Sequence, residues 1–397
     1  MTPQDAKKAR IAMAAMFASN GALMGAWAPQ IPLLLPRHQI GETLLGGLIL
    51  ILGLGAVTSM LFTGRLIGRY GSVPVLRMFA LAVIPVLPLV VLAPSLWTVA
   101  LAMAIFGGFV GSMDVAMNAN AVEVERRLGR AIMSSSHGFW SLGGFVGGTL
   151  GSFLIAQAGA TTQALVIAAL AAVMILTALP HLRGEPPQPQ TSQAQPRGAL
   201  LPRDTGLWLL GIMALFCMVP EGAVLDWAAL YLGKELMASP FTAGLGFAFF
   251  SGAMAVMRFM GDGLRNRFGA VRTLQISGLL GAAGLVIAAA APHPYVALFG
   301  FVLAGLGVAN MVPIMFSAAG NYPGHAAGTA ISTVTMVGYA GILIAPSSIG
   351  WLAEHLGYRP TYAGLALLLL VVTANAGRAA RADELQKVSG PQAEKLA

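Results

Sequence analysis

Twelve long apolar runs restrict the fold of this sequence more than any other feature. Each run is close to the roughly 20 residues that an α-helix needs to cross a bilayer. Inside a bilayer only helices and closed barrels satisfy every backbone hydrogen bond. The sequence therefore predicts an all-α polytopic membrane protein. The runs lie at about residues 10–35, 43–63, 74–93, 96–122, 131–157, 163–180, 206–232, 241–262, 272–291, 295–318, 326–350 and 360–377.

The charged residues are few and unevenly placed. They make up 10% of the chain, against roughly 25% in soluble domains. Of the 23 Lys and Arg, 19 fall in the N-terminal segment, in every second loop and in the C-terminal tail. Loops rich in Lys and Arg face the cytoplasm, so we expect both termini there, in a bacterial inner membrane. The net charge of +8 is explained by this topology, and no nucleic-acid partner is predicted.

The chain contains two related halves. The stretch GRLIGRYG at 64–71 aligns with DGLRNRFG at 262–269, and two further pairs of stretches align in the same order, at offsets of 198 to 201 residues. Internal repeats of this kind are typical of transporters with a site between the halves. A segment rich in Pro and Gln separates them and predicts a flexible linker. The predicted divisions are a bundle at 1–180, the linker at 181–205, a second bundle at 206–378 and a tail at 379–397.

The loop after the second span resembles a signature of the major facilitator superfamily, G-x-L-x-D-R-x-G. The matching residues are Gly64, Leu66, Arg69 and Gly71, with Gly68 in place of the Asp. Residues 114–144 also resemble the bacterial YbjJ-like and MosC-like branch, which is broadly related to sugar permeases. The resemblance implies twelve transmembrane helices in two pseudo-symmetric six-helix bundles, transport by alternating access, and a monomer.

The resemblance also implies a cytoplasmic gate at this loop and at its counterpart in the second half. An arginine there can reach the C-terminal end of a neighbouring helix, where a cation is favoured by about 0.3–1 kcal/mol. The same arginines also enforce the topology, and the two roles are compatible. The predicted gate residues are Gly64, Arg65, Arg69, Gly71, Arg258, Asp262, Arg267 and Gly269.

Asp114 is the first candidate for a proton carrier. It shares one face of the fourth span with Gly107, Gly111 and Asn118, which recur at helical spacing. An ionised side chain at the bilayer centre costs at least about 2.5–3.5 kcal/mol, so an intramembrane carboxylate is a functional candidate. The resemblance places the fourth helix against the central cavity. The alternative is a carboxylate that bonds to Asn118 or to backbone and only locks the helix in place.

His137, in the fifth span, is the second candidate. A neutral histidine near a carboxylate can pass a proton at physiological pH. Trp140 lies beside it and is a candidate for stacking on a sugar ring. Whether His137 meets Asp114 does not follow from the sequence, and a histidine packed against the neighbouring helix is the alternative.

The seventh span carries two acids, Glu221 and Asp226. Five residues separate them by about 140° around an ideal helix, so both cannot face one cavity squarely. Pro220 and Gly222 favour a break in the helix at this point. The internal repeat aligns Glu221 with Asn20 of the first span. We predict Glu221 as a further protonatable group, and we assign Asp226 equally to proton coupling or to an outer gate.

Other polar and aromatic side chains inside the spans complete the predicted cavity. Amides and hydroxyls can hydrogen-bond a polar solute, and indole rings can stack on a sugar, although Trp is also common at membrane interfaces. The candidates are Asn20, Gln30, Asn118, Trp140, Trp227, Asn310 and Tyr339.

Taken together, these features predict a secondary active transporter for a small polar, sugar- or polyol-like solute, driven by protons. Proton-driven drug or lipophile efflux is the first alternative, although the chain lacks the helix-4 Arg and the G-P-x-x-G-G motif that such antiporters usually carry. A transporter-like sensor or lipid-handling protein is the second alternative. The sequence has no nucleotide-binding loop, metal cluster or nucleophile triad, so no enzymatic activity, cofactor or metal is predicted.

Overall fold

The computed structural model of the protein describes residues 3–128, 132–184, 204–323 and 327–383. Every regular element in these ranges is helical, as the apolar runs predict. Most of the predicted linker and tail falls outside them. The helices are α1 (Pro3–Trp27), α2 (Ile31–His38), α3 (Glu42–Tyr70), α4 (Ser72–Ala82), α5 (Val86–Leu92), α6 (Leu96–Leu128), α7 (Met133–Ala178), α8 (Thr205–Lys234), α9 (Pro240–Ala289), α10 (Pro294–Val308), α11 (Met311–Gly320), α12 (Ala327–Leu356) and α13 (Tyr358–Ala374).

Ten described helices are long and apolar enough to cross a membrane, or eleven when Tyr358–Ala374 and the bent segment Ala376–Asp383 are counted as one span. When eleven spans are counted, the difference from the twelve predicted spans lies in one segment. Ser135–His181 is 47 residues long and contains both the fifth and the sixth predicted spans. These two spans meet at Gly159, where the backbone leaves the helical conformation. The predicted multi-pass helical fold is confirmed.

Four glycines with nearly the same backbone conformation mark the turns between successive helices. Gly71, Gly159, Gly269 and Gly357 have φ between 76° and 88° and ψ between 163° and 170°. This region is essentially restricted to glycine, because a Cβ clashes there. Gly71 and Gly269 are 198 residues apart, and so are Gly159 and Gly357. The repeat that the sequence predicted is therefore present in the turns of the structure.

Side-chain oxygen atoms cap the start of α8 and of α9 in the second half. The carboxylate of Asp204 accepts from the backbone N–H of Gly206 at 2.8 Å, at the start of α8. The hydroxyl of Ser239 accepts from the N–H of Thr242 at 3.2 Å, and Pro240 occupies the first position of α9. Caps of this type stabilise a helix by about 0.5–2 kcal/mol, and proline at the first position removes an N–H that would lack a partner.

Helices α1 and α7 lie unusually close together, and this approach positions the central polar residues. A Cβ on Gly21 would come within 1.9 Å of the Trp140 carbonyl oxygen, and one on Gly143 within 2.1 Å of the Ala18 carbonyl oxygen. Small residues permit such close packing of membrane helices. As a result, side chains of α1 and α7 near these glycines lie in contact with one another.

The first half (α1–α7) and the second half (α8–α13) meet mainly where α7 runs against α9 and α3 runs against α12. Small residues line both contacts. A Cβ on Gly148 would lie 3.0 Å from the Ala248 Cβ, and one on Gly46 would lie 2.9 Å from the Pro346 carbonyl oxygen. The two halves therefore touch along strips of small side chains. We call the cavity predicted between the halves the central cleft.

The two halves are joined by an ion pair at one end of the molecule. We call the end with the turns at Gly71 and Gly269 the basic end, and the opposite end the far end. At the far end, Lys234 of α8 lies 2.5 Å from Glu42 of α3. This contact closes the far end in the described part of the chain.

Candidate functional site

A chain of polar side chains joins α6 to α7 in the middle of the bundle. The amide nitrogen of Asn118 donates to Asp114 Oδ1 at 3.2 Å and to the Asp114 carbonyl oxygen at 2.9 Å. The amide oxygen of Asn118 lies 3.1 Å from His137 Nε2. With its NH₂ group facing Asp114, Asn118 presents its oxygen to the imidazole, so Nε2–H of His137 is the donor. All three residues were predicted from the sequence as candidates, and in the structure Asn118 contacts both of the others.

Aromatic side chains and one amide surround this chain. The ring of Phe17 on α1 meets the His137 ring edge-on, with centroids 5.3 Å apart. One turn along α7, the indole N–H of Trp140 donates to Asn20 Oδ1 at 2.9 Å. The amide of Asn20 donates in turn to the Val110 carbonyl oxygen at 3.2 Å. Asn20 is 1% exposed, so it orients Trp140 and holds α1 against α6 and does not face open space.

Arg258 lies away from the turn with which the sequence grouped it. It precedes Gly269 by 11 residues, or about 16 Å along an ideal helix. Its Nη1 donates to Ser141 Oγ of the first half at 2.6 Å. Its Nη2 lies 3.6 Å from Glu221 Oε1 of the second half, and the two side chains are 14% and 25% exposed. Arg258 is therefore part of the central site and connects the two halves.

The contacts of Arg258 with Ser141 and Glu221 were not predicted from the sequence, because the resemblance to the family signature placed Arg258 in the gate. A second signal was present in the sequence. Arg258 stands inside an apolar run, where an arginine is costly unless it has a polar partner. Its two partners, Ser141 and Glu221, lie 117 and 37 residues away along the chain, so no local pattern identifies them.

The charges of the central site do not balance. Arg258 and Glu221 form an ion pair, and a neutral His137 adds no charge. Within the part of the chain that the structure describes, Asp114 has no ion pair, and its only side-chain partner is the uncharged amide of Asn118. With all its carboxylates ionised, the site therefore carries one uncompensated negative charge.

The second acid of α8 lies outside this site. Asp226 is 7% exposed and sits within the second half, near Tyr362 of α13, whose hydroxyl donates to the Ala223 carbonyl oxygen at 3.2 Å. The adjacent Trp227 is fully buried against Tyr358. The structure therefore brings Glu221, and not Asp226, beside Arg258.

Two of the amides predicted to line the cavity are engaged elsewhere. Gln30 donates to Gln163 Oε1 at 2.5 Å and to the Ala160 carbonyl oxygen at 2.9 Å, beside the turn at Gly159. Asn310 lies between α10 and α11, where a Cβ on Gly261 would come within 2.3 Å of its Oδ1. Each of these two amides therefore contacts residues of its own half: Gln30 those of the first half and Asn310 those of the second. The side chains of Asp262 and Tyr339 lie outside the part of the chain that the structure describes.

The predicted gate arginines contact their own half in this conformation. Arg69 lies over the ring of Tyr70 at 5.2 Å, and Arg267 over the ring of Phe268 at 5.5 Å. A different arginine reaches a helix-end carbonyl. Arg265 bonds to the carbonyl oxygen of Ala382 and lies 3.4 Å from Asp383 Oδ1. A bridging role for Arg69 and Arg267 belongs to a conformation closed at the basic end and stays a prediction.

Comparison with known proteins identifies the family. The model of the Major Facilitator Superfamily matches residues 11–224 and again residues 212–395, once in each half. The chain belongs to the major facilitator superfamily. It is 35% identical over 356 residues to an uncharacterised MFS-type transporter of Yersinia pestis, covering 89% of this chain and 91% of that protein. It is 31% identical over 360 residues to the membrane protein MosC of Rhizobium meliloti, covering 91% and 86%.

Solved structures of the superfamily share the fold. A D-xylose–proton symporter superposes with a TM-score of 0.74 at 16% identity, covering 94% of this chain and 97% of that chain. The nucleoside transporter NupG superposes with a TM-score of 0.70 at 13% identity, covering 94% and 98%. The protein is thus a multi-pass transporter of a small molecule and not an enzyme, which confirms the predicted family and activity class.

In this superfamily member, polar contacts between the halves close the far end. Lys234 pairs with Glu42, whose side chain is 8% exposed, and the backbone N–H of Thr43 donates to Glu354 Oε2 at 2.8 Å. Next to them, the hydroxyl of Ser347 donates to the Gly46 carbonyl oxygen at 3.2 Å. We call Glu42, Thr43, Lys234 and Glu354 the far-end latch.

Replacing Lys234 with Gln is expected to open the far end more often. The change leaves the Glu42 carboxylate without its cation, so conformations in which water reaches Glu42 become relatively more favourable. Because Lys234 is half exposed, the pair contributes only about 0.2–1 kcal/mol, or roughly 1.4- to 5-fold in population. The measurement is the alkylation rate of a single cysteine at Ser347→Cys, in a Cys217→Ser background.

The matched control is Arg359→Gln. It removes a cation at the same end, but its partner Glu235, at 3.5 Å, belongs to the same half. The control should leave the alkylation rate unchanged. Equal rates in the Lys234→Gln variant and the parent would show that the latch does not hold the far end closed.

Proposed function

We propose that the protein carries a small, uncharged polar solute of the sugar or polyol class across the bacterial inner membrane together with protons. The observation that supports this most directly is Asp114, a carboxylate that has an amide and no cation as its partner among the residues that the structure describes. An ionised carboxylate at this depth is costly. A proton removes that cost, so occupation of Asp114 by a proton is the simplest way to make the site stable.

The balance of charges supports one proton per solute. Arg258 and Glu221 compensate each other, so a single proton on Asp114 leaves the whole site neutral. An uncharged solute then binds without adding charge to the cleft. His137 lies 3.1 Å from the amide oxygen of Asn118, so Asn118 holds the imidazole on the same side of the cleft as Asp114.

The orientation follows from the distribution of basic residues. With the basic end in the cytoplasm, as the positive-inside rule requires, the far-end latch lies on the outer side and closes the cleft there. The transport cycle then alternates between this form and one in which the far-end latch is broken. Each cycle is completed within a single chain, so a monomer suffices.

Proton-driven efflux of lipophilic cations is the second candidate, and one observation favours it. The rings of Phe17 and Trp140 lie near the uncompensated carboxylate, and aromatic faces attract organic cations. In that mechanism the cation and the proton compete for Asp114, whereas in the first mechanism the solute and the proton bind together.

A ligand-stabilisation screen followed by a flux assay separates the two. Purified protein is heated with sugars and polyols, or with lipophilic cations, at mildly acidic and at neutral pH, because a ligand that binds the folded state raises its melting temperature. We expect a polyol or sugar to give a larger shift at acidic pH and to drive counterflow in proteoliposomes. Stabilisation by lipophilic cations alone, stronger at neutral pH, would replace the first mechanism with the second.

A further inference from the structure

A crevice on the outer surface of the first half has no part in the central site. It lies at the basic end, between the start of α1 and the end of α7, and has a volume of about 340 Å³. Ala12 and Ala15 of α1 line its floor, and Ile11, which is 70% exposed, stands at its edge. An apolar opening of this kind on a membrane-spanning bundle faces the hydrocarbon of the bilayer.

Among the described residues that line the crevice, Lys8 on α1 carries the one charged side chain, and the imidazole of His181 lies opposite, just beyond α7. Both side chains are exposed, and neither has an ion pair or hydrogen bond within the ranges that the structure describes. Thr177, the remaining polar group, donates to the carbonyl oxygens of Val173 and Met174 on its own helix. The crevice thus has an apolar floor and a basic rim.

The depth of this rim matches the membrane boundary. Lys8 lies in the first turn of the span that begins at Lys7, and His181 is the last residue of the span that ends there. Two more cations are fixed at the same turn. Arg77 donates to the Leu179 carbonyl oxygen at 3.3 Å, and Arg183 to the Pro180 carbonyl oxygen at 2.6 Å. Positive charge therefore gathers where the phosphate groups of a bilayer lie.

We propose that this crevice binds one anionic phospholipid, with the phosphate between Lys8 and His181 and an acyl chain along Ala12 and Ala15. The two parts of the surface require an amphiphile. A soluble anion would leave the apolar floor uncovered, and an uncharged lipid would leave the rim without a counter-charge. Basic recesses between membrane helices on the cytoplasmic side recognise anionic head groups on the same grounds.

The test uses the full-length protein in detergent. Native mass spectrometry counts retained lipids, and melting temperatures are measured with phosphatidylglycerol, phosphatidylcholine or glycerol phosphate. We expect phosphatidylglycerol to stabilise the protein more than phosphatidylcholine, and glycerol phosphate to have no effect. In the double variant Lys8→Gln, His181→Gln, one fewer phosphatidylglycerol should be retained and the shift should fall by at least half. The control, Lys7→Gln with His355→Gln, removes equivalent groups outside the crevice and should behave as the parent.

A second variant tests the floor without changing any charge. Ala15→Phe fills the space assigned to the acyl chain, so it should also release one phosphatidylglycerol. Equal retention in the crevice and control variants, or equal shifts with the two lipids, would overturn the proposal. A shift with glycerol phosphate would instead identify a soluble anion. None of these readouts depends on transport, so the result is independent of the proposed function.

Discussion

Replacing Asp114 with Asn is expected to abolish accumulation of solute driven by a proton gradient while leaving exchange of solute across the membrane largely intact. The amide keeps the size and the hydrogen bond to Asn118 but cannot take up a proton. Coupling free energies between two ligands are typically 1–3 kcal/mol, so the roughly 5- to 150-fold effect of a bound proton on solute affinity should also be lost. The measurement compares uptake under an imposed pH gradient with counterflow at equal pH, in proteoliposomes.

Asp226→Asn is the matched control for this experiment. It makes the same chemical change on a buried carboxylate, but one that lies inside the second half and away from the cleft. An isolated buried carboxylate is costly when charged, so we expect the neutral Asn to be tolerated and coupled uptake to continue. If Asp114→Asn kept full gradient-driven uptake, or if only Asp226→Asn lost it, Asp114 would not be the coupling group.

Removing Arg258 is expected to damage both stability and transport, and removing its partner as well should repair part of the damage. Arg258→Gln leaves Glu221 in the cleft without its cation and weakens the link to Ser141. A lost hydrogen bond to a charged group costs about 1.5–3 kcal/mol. The double variant Arg258→Gln, Glu221→Gln has no unpaired charge, so its melting temperature should recover at least half of the loss.

A double-mutant cycle on melting temperature and solute affinity measures this coupling. Residues in direct contact show interaction energies of about 0.5–3 kcal/mol, whereas independent residues are additive. Arg258→Lys is the conservative variant. It keeps the positive charge but replaces the planar guanidinium, which has several N–H donors, with a single ammonium group. It should retain stability better than Arg258→Gln. Additive losses in the double variant would show that the 3.6 Å contact contributes nothing to the site.

Some features of the candidate site were accessible from the sequence because they depend on the cost of burying charge. Asp114 and Glu221 stand out in apolar runs for that reason, and both side chains are half-buried in the structure. A contact of Asp114 with Asn118 was one of the alternatives predicted from the sequence, because side chains four residues apart lie on one face of a helix. Such inferences involve only one helix at a time and need no knowledge of its neighbours.

The sequence by itself determined the helical fold, the repeat and the turns. The apolar runs must be helical because a lipid environment offers no partners for backbone groups, and the turns at Gly71 and Gly269 require a conformation that only glycine adopts readily. The family signature and the internal repeat are likewise readable along the chain.

Only the tertiary structure decided which polar groups meet. Glu221 and Asp226 are five residues apart, yet one lies in the cleft beside Arg258 and the other inside the second half. Helical spacing predicts that they diverge, but the partner that each one meets belongs to another helix. Glu221 meets Arg258 because α8 packs closely against α9, where a Cβ on Gly246 would lie 2.9 Å from the Ala228 Cβ. The link from Arg258 to Ser141 depends on how α9 crosses α7, which is a relation between two halves that no single helix encodes.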